Sequence, residues 1–224
     1  MSLPKRTVIT TADGSKTLHM EAWNEHYHSI HGAIQEAYHV FIRSGLDELK
    51  ASSVHILEIG FGTGLNALIS YIEADRRQLM IDYLGVEAYP VPYDQALEMD
   101  YTQSLRQESY QAIFEKMHLV AWDKAHLLSP FFKFYKRKQK FEELEDKNKF
   151  DLIYFDAFGF RVQPELWSVT IFTKMYTAMK VGGILVTYAA KGEVRRTMQA
   201  VGFQVERLPG PPGKREMLRA RKIK

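Results

Sequence analysis

Strand-type and helix-type segments alternate along most of this 224-residue chain. Short apolar runs are followed by segments whose apolar residues recur every three to four positions. The alternation predicts an α/β fold in which helices cover both faces of a parallel sheet and ligands bind beyond the C-terminal ends of the strands. The predicted strands are residues 54–60, 80–88, 118–122, 150–158 and 183–190, the predicted helices are residues 31–46, 65–74, parts of 93–117, 164–180 and 192–201, and hairpins are predicted within residues 8–20, around Asp13-Gly14, and within residues 203–223.

No repeat or linker divides the chain, so we predict a single domain over residues 1–224, with residues 1–50 as an N-terminal extension. Residues 131–149 are basic and then acidic, which predicts an exposed helical insertion. No apolar stretch approaches the roughly 20 residues of a membrane span. The segment Met1–Thr10 lacks the apolar core of a signal peptide. We therefore expect no membrane association and a cytoplasmic location.

The chain has no cysteine, which excludes disulfides, thiolate metal sites and a cysteine nucleophile. Five of its eight histidines fall between His19 and His39, and this density raises the question of a zinc site. Zinc takes about four ligands at characteristic spacings. No second cluster of suitable residues follows, so we predict no bound metal.

Positive charge is concentrated at the C-terminus. The net charge is +3, but residues 191–224 contain ten Lys and Arg residues against three Glu residues. A basic segment on an otherwise slightly acidic chain favours a polyanionic partner. A solvated basic tail is the alternative, and charge alone does not distinguish the two.

A glycine-rich loop, with Gly60, Gly62 and Gly64, follows the first strand of the alternating region. Glycine allows the backbone to approach a ligand closely, and the next helix offers free N–H groups at its N-terminus. The spacing G-x-G-x-G is one residue shorter than the dinucleotide fingerprint G-x-G-x-x-G, and the phosphate-loop motif G-x-x-x-x-G-K-[ST] is absent. Tight packing between strand and helix is the alternative explanation.

Acidic and aromatic residues at the predicted strand ends favour S-adenosylmethionine over NAD as the ligand. Glu58, before the loop, suits a sulfonium or ammonium group better than a pyrophosphate. Glu87, at the end of the second strand, can accept hydrogen bonds from both ribose hydroxyls. Trp122 and Asp123, after the third predicted strand, are candidate adenine contacts. Each residue alone has a structural explanation, as a surface or core residue.

Six motifs, in their order along the chain, resemble the methyltransferase domain that completes 5-methylaminomethyl-2-thiouridine at the tRNA wobble position. In many bacteria this domain is fused to a flavin-dependent oxidase. The chain departs from the family pattern after Asp-Ala-Phe, where a proline usually follows and "GFRVQ" stands here. We expect a stand-alone methyltransferase without the fused oxidase. The motifs are "YHSIHGAIQEAYHVF" (27–41), "EIGFGTGLN" (58–66), "DAF" (156–158), "PELW" (164–167), "YAAKGEVRR" (188–196) and "GKREML" (213–218).

The resemblance implies a Rossmann-like S-adenosylmethionine-dependent methyltransferase fold. Its mostly parallel seven-stranded sheet would carry a C-terminal antiparallel hairpin and an N-terminal extension of hairpin and helix. The implied reaction is N-methylation of the aminomethyl group of 5-aminomethyl-2-thiouridine, with S-adenosylhomocysteine as the second product. The implied partners are a tRNA anticodon stem-loop and, functionally, the enzyme that supplies the aminomethyl group.

The resemblance also implies roles for individual residues. Asp156 would lie beside the cofactor and the amine and accept the amine proton, although an aspartate at a strand end is often only a turn residue. The other predicted contacts are Tyr27, Asn66 and Tyr188 around the cofactor, Phe158 and Phe160 as platforms for the uracil, and Arg195, Arg196, Lys214 and Arg215 on phosphates, with Trp167 expected in the core. Two other classes remain open: an aminopropyl transferase of the polyamine-synthase type, and a non-catalytic module that binds S-adenosylmethionine or RNA.

Overall fold

A large mixed sheet forms the centre of the computed structural model, which describes residues 5–224. Residues 1–4 of the predicted N-terminal extension lie outside the described residues. The predicted α/β fold is confirmed. The strands are β1 (Arg6–Thr10), β2 (Lys16–Met20), β3 (Glu25–His26), β4 (Ser53–Ile59), β5 (Met80–Val86), β6 (Ala125–Ser129), β7 (Phe132–Arg137), β8 (Phe150–Phe155), β9 (Met179–Thr187), β10 (Gln204–Pro209) and β11 (Glu216–Arg221). The α-helices are α1 (Ala33–Ala37), α2 (Leu65–Arg77), α3 (Tyr93–Leu97), α4 (Tyr101–Ser104), α5 (Gln111–Leu119), α6 (Val169–Ala178) and α7 (Gly192–Val201).

The central sheet has the strand order β10-β11-β9-β8-β4-β5-β7-β6. β4 pairs in parallel with β5 on one side and with β8 on the other. The chain first adds strands on the β5 side of β4, and it then crosses back to add β8 and β9 on the opposite side. Such a reversal leaves a crevice at the C-terminal ends of the strands. β10 and β11 form the predicted C-terminal hairpin, and β11 runs antiparallel to β9.

Apolar side chains on both faces of β4 and β8 explain why these strands lie at the centre. Successive residues of a strand point to opposite faces. Ile56 and Leu152 belong to the core beneath α2 and α5, whereas Leu57 and Ile153 belong to the core beneath α6 and α7. A strand that is buried on both faces needs a mostly apolar sequence without strict alternation, and this is why both strands were predicted from the sequence.

The prediction of a strand at residues 118–122 is wrong. His118 and Leu119 are the last residues of α5, and the next residues form a loop. The strand that pairs in parallel with β5 is β7. Residues 131–149 are therefore not an exposed helical insertion, because they include β7, a strand of the large sheet. Phe132 and Phe134 are fully buried while Lys133 between them is exposed, and the lysines mask this alternation in the sequence.

Within residues 5–224, the large sheet has eight strands rather than the predicted seven. The additional strand, β6, runs antiparallel to β7 and forms the edge of the sheet. The helical predictions also differ in detail. The first predicted helix is α1 continued by a π-helix over Tyr38–Arg43, and the helix predicted at 164–180 is a 3-10 turn, Pro164–Trp167, followed by α6. β9 starts at Met179, within the predicted helix.

The predicted N-terminal hairpin, β1–β2, is confirmed and is extended by β3. This small sheet is tied to the loop after β8 by Arg161, which donates hydrogen bonds to the carbonyl oxygens of Trp23 and Asn24 and pairs with Glu25 at 3.1 Å. The tie holds Tyr27 at the mouth of the crevice. No helix among residues 5–224 is long and apolar enough to cross a membrane.

Candidate active site

The glycine loop joins β4 to α2 at the crevice. The N–H groups of Gly60 and Phe61 both donate to the carbonyl oxygen of Val86, so the loop is bonded to the end of β5. Gly60 has a φ of +91°, and a Cβ there would lie 2.5 Å from the carbonyl oxygen of Asp156. Glycine is thus required for both conformation and space, and the loop brings the ends of β4, β5 and β8 together.

Replacing Gly60 with alanine is expected to lower the free energy of unfolding by about 2–5 kcal/mol, because backbone strain adds to a collision with the backbone of Asp156. Gly182 provides the matched control. Its φ is +85°, but a Cβ there meets nothing within 4 Å, so Gly182→Ala carries strain alone, about 1–2 kcal/mol. Urea denaturation of both variants measures the difference. Equal losses would show that the close approach to Asp156 is not a tight constraint.

Glu87 lies directly after β5 and is bonded to the glycine loop. Its carboxylate accepts hydrogen bonds from the N–H groups of Gly62, at 3.0 Å, and Tyr89, at 2.9 Å. Burial raises the pKa of Glu87, and the backbone hydrogen bonds and Arg6 oppose this rise. Arg6, which donates to the carbonyl oxygen of Tyr89, is a neighbour that the sequence analysis missed. Glu87 is therefore a positioned hydrogen-bond acceptor at the strand end, and its contact with the ribose stays a prediction.

Asn66 links two carboxylates at the start of α2. Its Nδ2 donates to Glu58 at 3.0 Å and to Asp156 at 2.9 Å, while its Oδ1 is buried without a hydrogen-bond partner in the described part of the chain. Glu58 is 0 % exposed and also accepts from the hydroxyl of Tyr83, at 2.8 Å. Burial raises the pKa of Glu58 well above its ordinary value. Glu58 thus holds Asn66 in place rather than facing a ligand, which corrects its predicted role.

Asp156 follows β8 and faces the crevice. Burial raises the pKa of Asp156 to about 7, and the negative charge of Glu36 adds to this rise. The hydrogen bond from Asn66 and the positive charge of Lys214 act in the opposite direction. The carboxyl group is therefore able to take up and release a proton near neutral pH, which is a property of acid–base groups in enzymes.

Three cavities open at this end of the sheet, and we call them the inner cavity, at Asp156, the upper cavity, at Phe141, and the outer cavity, at Phe160. The inner and upper cavities adjoin each other, because both are lined by Tyr27, Glu87, Ala157 and Phe158. Tyr188 lines both the inner and the outer cavity and forms the wall between them. The inner cavity is lined by Gly60, Gly62, Asn66 and Asp156, the upper cavity by Arg6, Tyr89, Phe141 and Glu142, and the outer cavity by Phe160, Arg161, Lys191, Lys214 and Arg215.

Trp122 and Asp123 are not at the cavities. The Trp122 ring meets Phe61 edge-on and is covered by the Lys136 ammonium at 4.7 Å, and the Asp123 N–H donates to the carbonyl oxygen of Lys136. Their prediction as adenine contacts depended on the wrong third strand. The residues that follow the actual strand, β7, include Phe141 and Glu142 of the upper cavity. The alternation of Phe132, Lys133 and Phe134 was the signal in the sequence that would have located β7 and the residues after it.

The predicted aromatic contacts have three different environments. Phe158 packs edge-on against Trp23 and Tyr27, at 5.5 and 5.0 Å between ring centres. Phe160 lies in the outer cavity with the Lys191 ammonium 3.8 Å above its ring. Trp167 is buried and donates to the carbonyl oxygen of Phe158, which agrees with its expected place in the core.

The basic C-terminal residues do not form one free surface. Arg219 and Arg221 pair with Glu48, each at 2.9 Å, and Lys222 is buried. Lys214 pairs with Glu36 at 2.8 Å. The side chain of Arg215 is 90 % exposed at the outer cavity, whereas Arg195, half-buried, and Arg196, exposed, lie on α7 and do not line that cavity. Of the four side chains predicted to meet phosphates, Lys214 is therefore paired within the protein, and Arg215 lies 3.9 Å from the carboxylate of Glu216.

A reversal in a parallel sheet, a glycine loop after its first strand and an acidic residue after the next strand define a Rossmann-like nucleotide-cofactor site. Comparison with known families specifies the class. Residues 100–223, more than half of the chain, match the S-adenosyl-L-methionine-dependent methyltransferase family. The chain belongs to this family. Membership confirms the predicted cofactor, S-adenosylmethionine.

Curated relatives carry a more specific name. The chain is 29% identical over 217 residues to the tRNA 5-methylaminomethyl-2-thiouridine biosynthesis bifunctional protein MnmC of Azoarcus sp. (strain BH72), covering 92% of this chain and 34% of that protein. It is 28% identical over 220 residues to the protein of the same name from Leptospira interrogans serovar Lai, covering 88% and 32%. The chain therefore spans about a third of the length of these relatives.

Solved structures support the fold. MNMC2 from Aquifex aeolicus superposes with a TM-score of 0.77 at 23% identity, covering 97% of this chain and 70% of that chain. Spermidine synthase from Thermotoga maritima superposes with a TM-score of 0.58 at 12% identity, covering 98% and 69%. Because MNMC2 and a spermidine synthase both match, the fold alone does not specify the reaction.

Proposed function

We propose that this protein methylates the amino group of 5-aminomethyl-2-thiouridine at the wobble position of tRNA, giving 5-methylaminomethyl-2-thiouridine. The observation that carries the proposal is Asp156, a carboxyl group with a pKa raised to about 7 beside Asn66 in the inner cavity. An amine substrate needs such a proton acceptor. The names of the curated relatives support the choice of nucleoside.

The inner and upper cavities fit S-adenosylmethionine. Asn66 Oδ1, a buried acceptor without a partner among the described residues, suits the ammonium group of the amino-acid part. Glu87 has lone pairs left after binding two backbone N–H groups, and these suit the ribose hydroxyls. Phe141, in the upper cavity, offers an apolar surface for the adenine. When bound, the cofactor supplies an electrophilic methyl group on its sulfonium centre.

Asp156 prepares the amine. An aliphatic amine with a pKa of about 10, like that of lysine, is mostly protonated at neutral pH and has no lone pair to react. An ordinary aspartate is a weak base, but Asp156, with its pKa raised to about 7, is a stronger one. It takes one proton from the ammonium group and leaves the nitrogen lone pair free. Tyr27 and Phe158 cover the cavity and limit the access of water.

The outer cavity suits the target nucleotide. Phe160 and Tyr188 provide aromatic surfaces, and single-stranded RNA bases stack on such side chains. Arg161, Lys191 and Arg215 lie at the same cavity and suit the phosphates of an anticodon stem-loop. The proposal implies a cytoplasmic enzyme that depends on another enzyme for the aminomethyl group.

The test is mass spectrometry of tRNA nucleosides after incubation of the protein with S-adenosylmethionine and tRNA that carries 5-aminomethyl-2-thiouridine. The expected result is a gain of one methyl group at that nucleoside, with none in tRNA that lacks the aminomethyl group. Aminopropyl transfer from decarboxylated S-adenosylmethionine to a diamine, with no methylated nucleoside, would identify a polyamine-synthase type of enzyme. Cofactor binding without any product would identify a non-catalytic module.

Replacing Arg215 with alanine is expected to weaken tRNA binding and to reduce the slope of log affinity against log salt by about one, because one phosphate contact is lost. Arg221, which is paired with Glu48, provides the control, and Arg221→Ala is expected to leave the slope unchanged. Affinities measured over a salt series give both slopes. Parallel slopes for wild type and Arg215→Ala would remove Arg215 from the RNA interface.

A further inference from the structure

A buried ion pair joins two distant parts of the chain beside the site. Lys214, in the turn between β10 and β11, donates to Glu36 of α1 at 2.8 Å, and Glu36 is only 5 % exposed. The same turn is packed against the N-terminal segment at Gly213, where a Cβ would overlap the ring of His31. His39 bonds the carbonyl oxygen of Pro209, at the end of β10. The pair is thus held from both sides by packing.

The pair lies against the wall that separates the inner and outer cavities. The Lys214 ammonium is 3.9 Å from the centre of the Tyr188 ring, a cation–π contact. The Tyr188 hydroxyl donates to the carbonyl oxygen of Ala157, the residue after Asp156, at 2.8 Å. Contacts therefore run without a gap from Glu36 through Lys214 and Tyr188 to the backbone beside Asp156.

The two charges of the pair act on Asp156 in opposite directions. Glu36 raises the pKa of Asp156 and Lys214 lowers it, and the effect of Glu36 is the larger. If both charges lay at the same distance from Asp156, their effects on its pKa would cancel. The larger effect of Glu36 therefore means that its charge is nearer to Asp156 or less screened than that of Lys214. The titratable and charged side chains that interact with Asp156 are Glu36 of α1, Glu58 of β4, Tyr83 of β5, Tyr101 of α4, Tyr188 after β9 and Lys214 of the β10–β11 turn.

We propose that Glu36 and Lys214 are positioning residues of the amine-methylating site: the pair fixes the Tyr188 wall and brings its two charges to the side of the site where Asp156 lies. This inference rests on the function proposed above. Lys214 then serves the site from within the protein rather than by contact with tRNA phosphates, its predicted role.

The net effect of the pair makes Asp156 a better acceptor for the amine proton. The proton moves from the ammonium nitrogen of the substrate to the carboxylate of Asp156. The charge of Asp156 changes from −1 to 0, and the amine becomes neutral. The second carboxylate, Glu36, is occupied by Lys214, whose ammonium binds it directly. Asp156 is consequently the group that exchanges the proton.

The first test is a carboxyl ¹³C NMR titration of Asp156 in the protein without cofactor, with the signal assigned from Asp156→Asn. The wild-type midpoint is expected near pH 7. In Glu36→Gln the midpoint is expected to move to a pH lower by about 1, because a neighbouring negative charge is lost and Lys214 remains. Glu206→Gln, which removes a carboxylate paired with Arg219 on the edge hairpin, is the control and is expected to leave the midpoint unchanged.

A double variant, Glu36→Gln with Lys214→Met, keeps the test valid if Glu36→Gln does not fold, since it leaves no unpaired charge. Its midpoint is expected between those of Glu36→Gln and wild type. In methyl transfer, the acidic limb of the pH–rate profile is expected to move with the midpoint. An unmoved midpoint in both variants would overturn the inference. A wild-type protein that titrates as expected but methylates no tRNA would overturn the proposed function and leave the inferred charge coupling intact.

Discussion

Replacing Asp156 with alanine is expected to slow methyl transfer by about 100- to 10,000-fold, the usual contribution of a general base. S-adenosylmethionine binding is expected to stay within about tenfold of wild type, since only one contact near the ligand is lost. The reason is that Asp156 lies beside Asn66 in the inner cavity, whereas Glu87 serves the other end of the cofactor. Single-turnover rates and calorimetric affinities measured on the same preparation separate the two effects.

Asp156→Asn provides a matched control, because asparagine keeps the shape of the side chain but does not accept a proton at neutral pH. It is expected to lose as much activity as alanine. Wild-type activity is expected to rise with pH through about 7, since Asp156 acts in its ionised form and its pKa lies near that value. Loss of cofactor affinity in parallel with turnover would make Asp156 a cofactor ligand instead. Unchanged turnover would remove it from the chemistry.

The parts of the fold that are buried on both faces were predictable. β4, β5 and β8 are mostly apolar, and each was located from the sequence because a parallel strand within a sheet needs apolar side chains on both faces. β7 was missed because its three basic residues, Lys133, Lys136 and Arg137, give it the composition of a surface segment, although Lys136 is buried. The error then displaced the predicted adenine contacts to Trp122 and Asp123.

Residues that follow strands were predicted to be at the site, and the sheet brings Glu87, Asn66 and Asp156 together there. Which carboxylate faces a ligand was not predictable. Glu58 is sealed in by Tyr83 and Asn66, whereas Asp156 faces the cavity, and this difference depends on side chains from three elements. A sequence pattern contains no information about such packing.

Ion pairs between residues that are far apart in the sequence were also not predictable. Glu36 and Lys214 are 178 positions apart, and only the docking of the β10–β11 turn against α1 brings them into contact. The same applies to Arg221, whose partner Glu48 precedes the sheet. The C-terminal excess of positive charge is real in the sequence, but ion pairs across the fold neutralise much of it locally.

Replacing Glu87 with alanine is expected to weaken S-adenosylmethionine binding by about 100-fold or more. Two ribose hydroxyls would lose an ionised acceptor, and hydrogen bonds to charged groups contribute about 1.5–3 kcal/mol each. The structure adds a second reason. The N–H groups of Gly62 and Tyr89 also lose their acceptor, so the glycine loop loses the contact that fixes it against the end of β5.

Glu87→Gln separates these two causes. Its amide oxygen can still accept from one backbone N–H, but its NH₂ group donates and cannot accept from a hydroxyl. The glutamine variant is therefore expected to keep the thermal stability of wild type better than alanine does, while still losing at least about fivefold in affinity, since a hydroxyl left unpaired costs at least about 1 kcal/mol. Calorimetry with S-adenosylmethionine and thermal unfolding of both variants provide the comparison. Affinity near the wild-type value in a folded Glu87→Ala protein would exclude the ribose contact and leave Glu87 as a residue that only supports the loop.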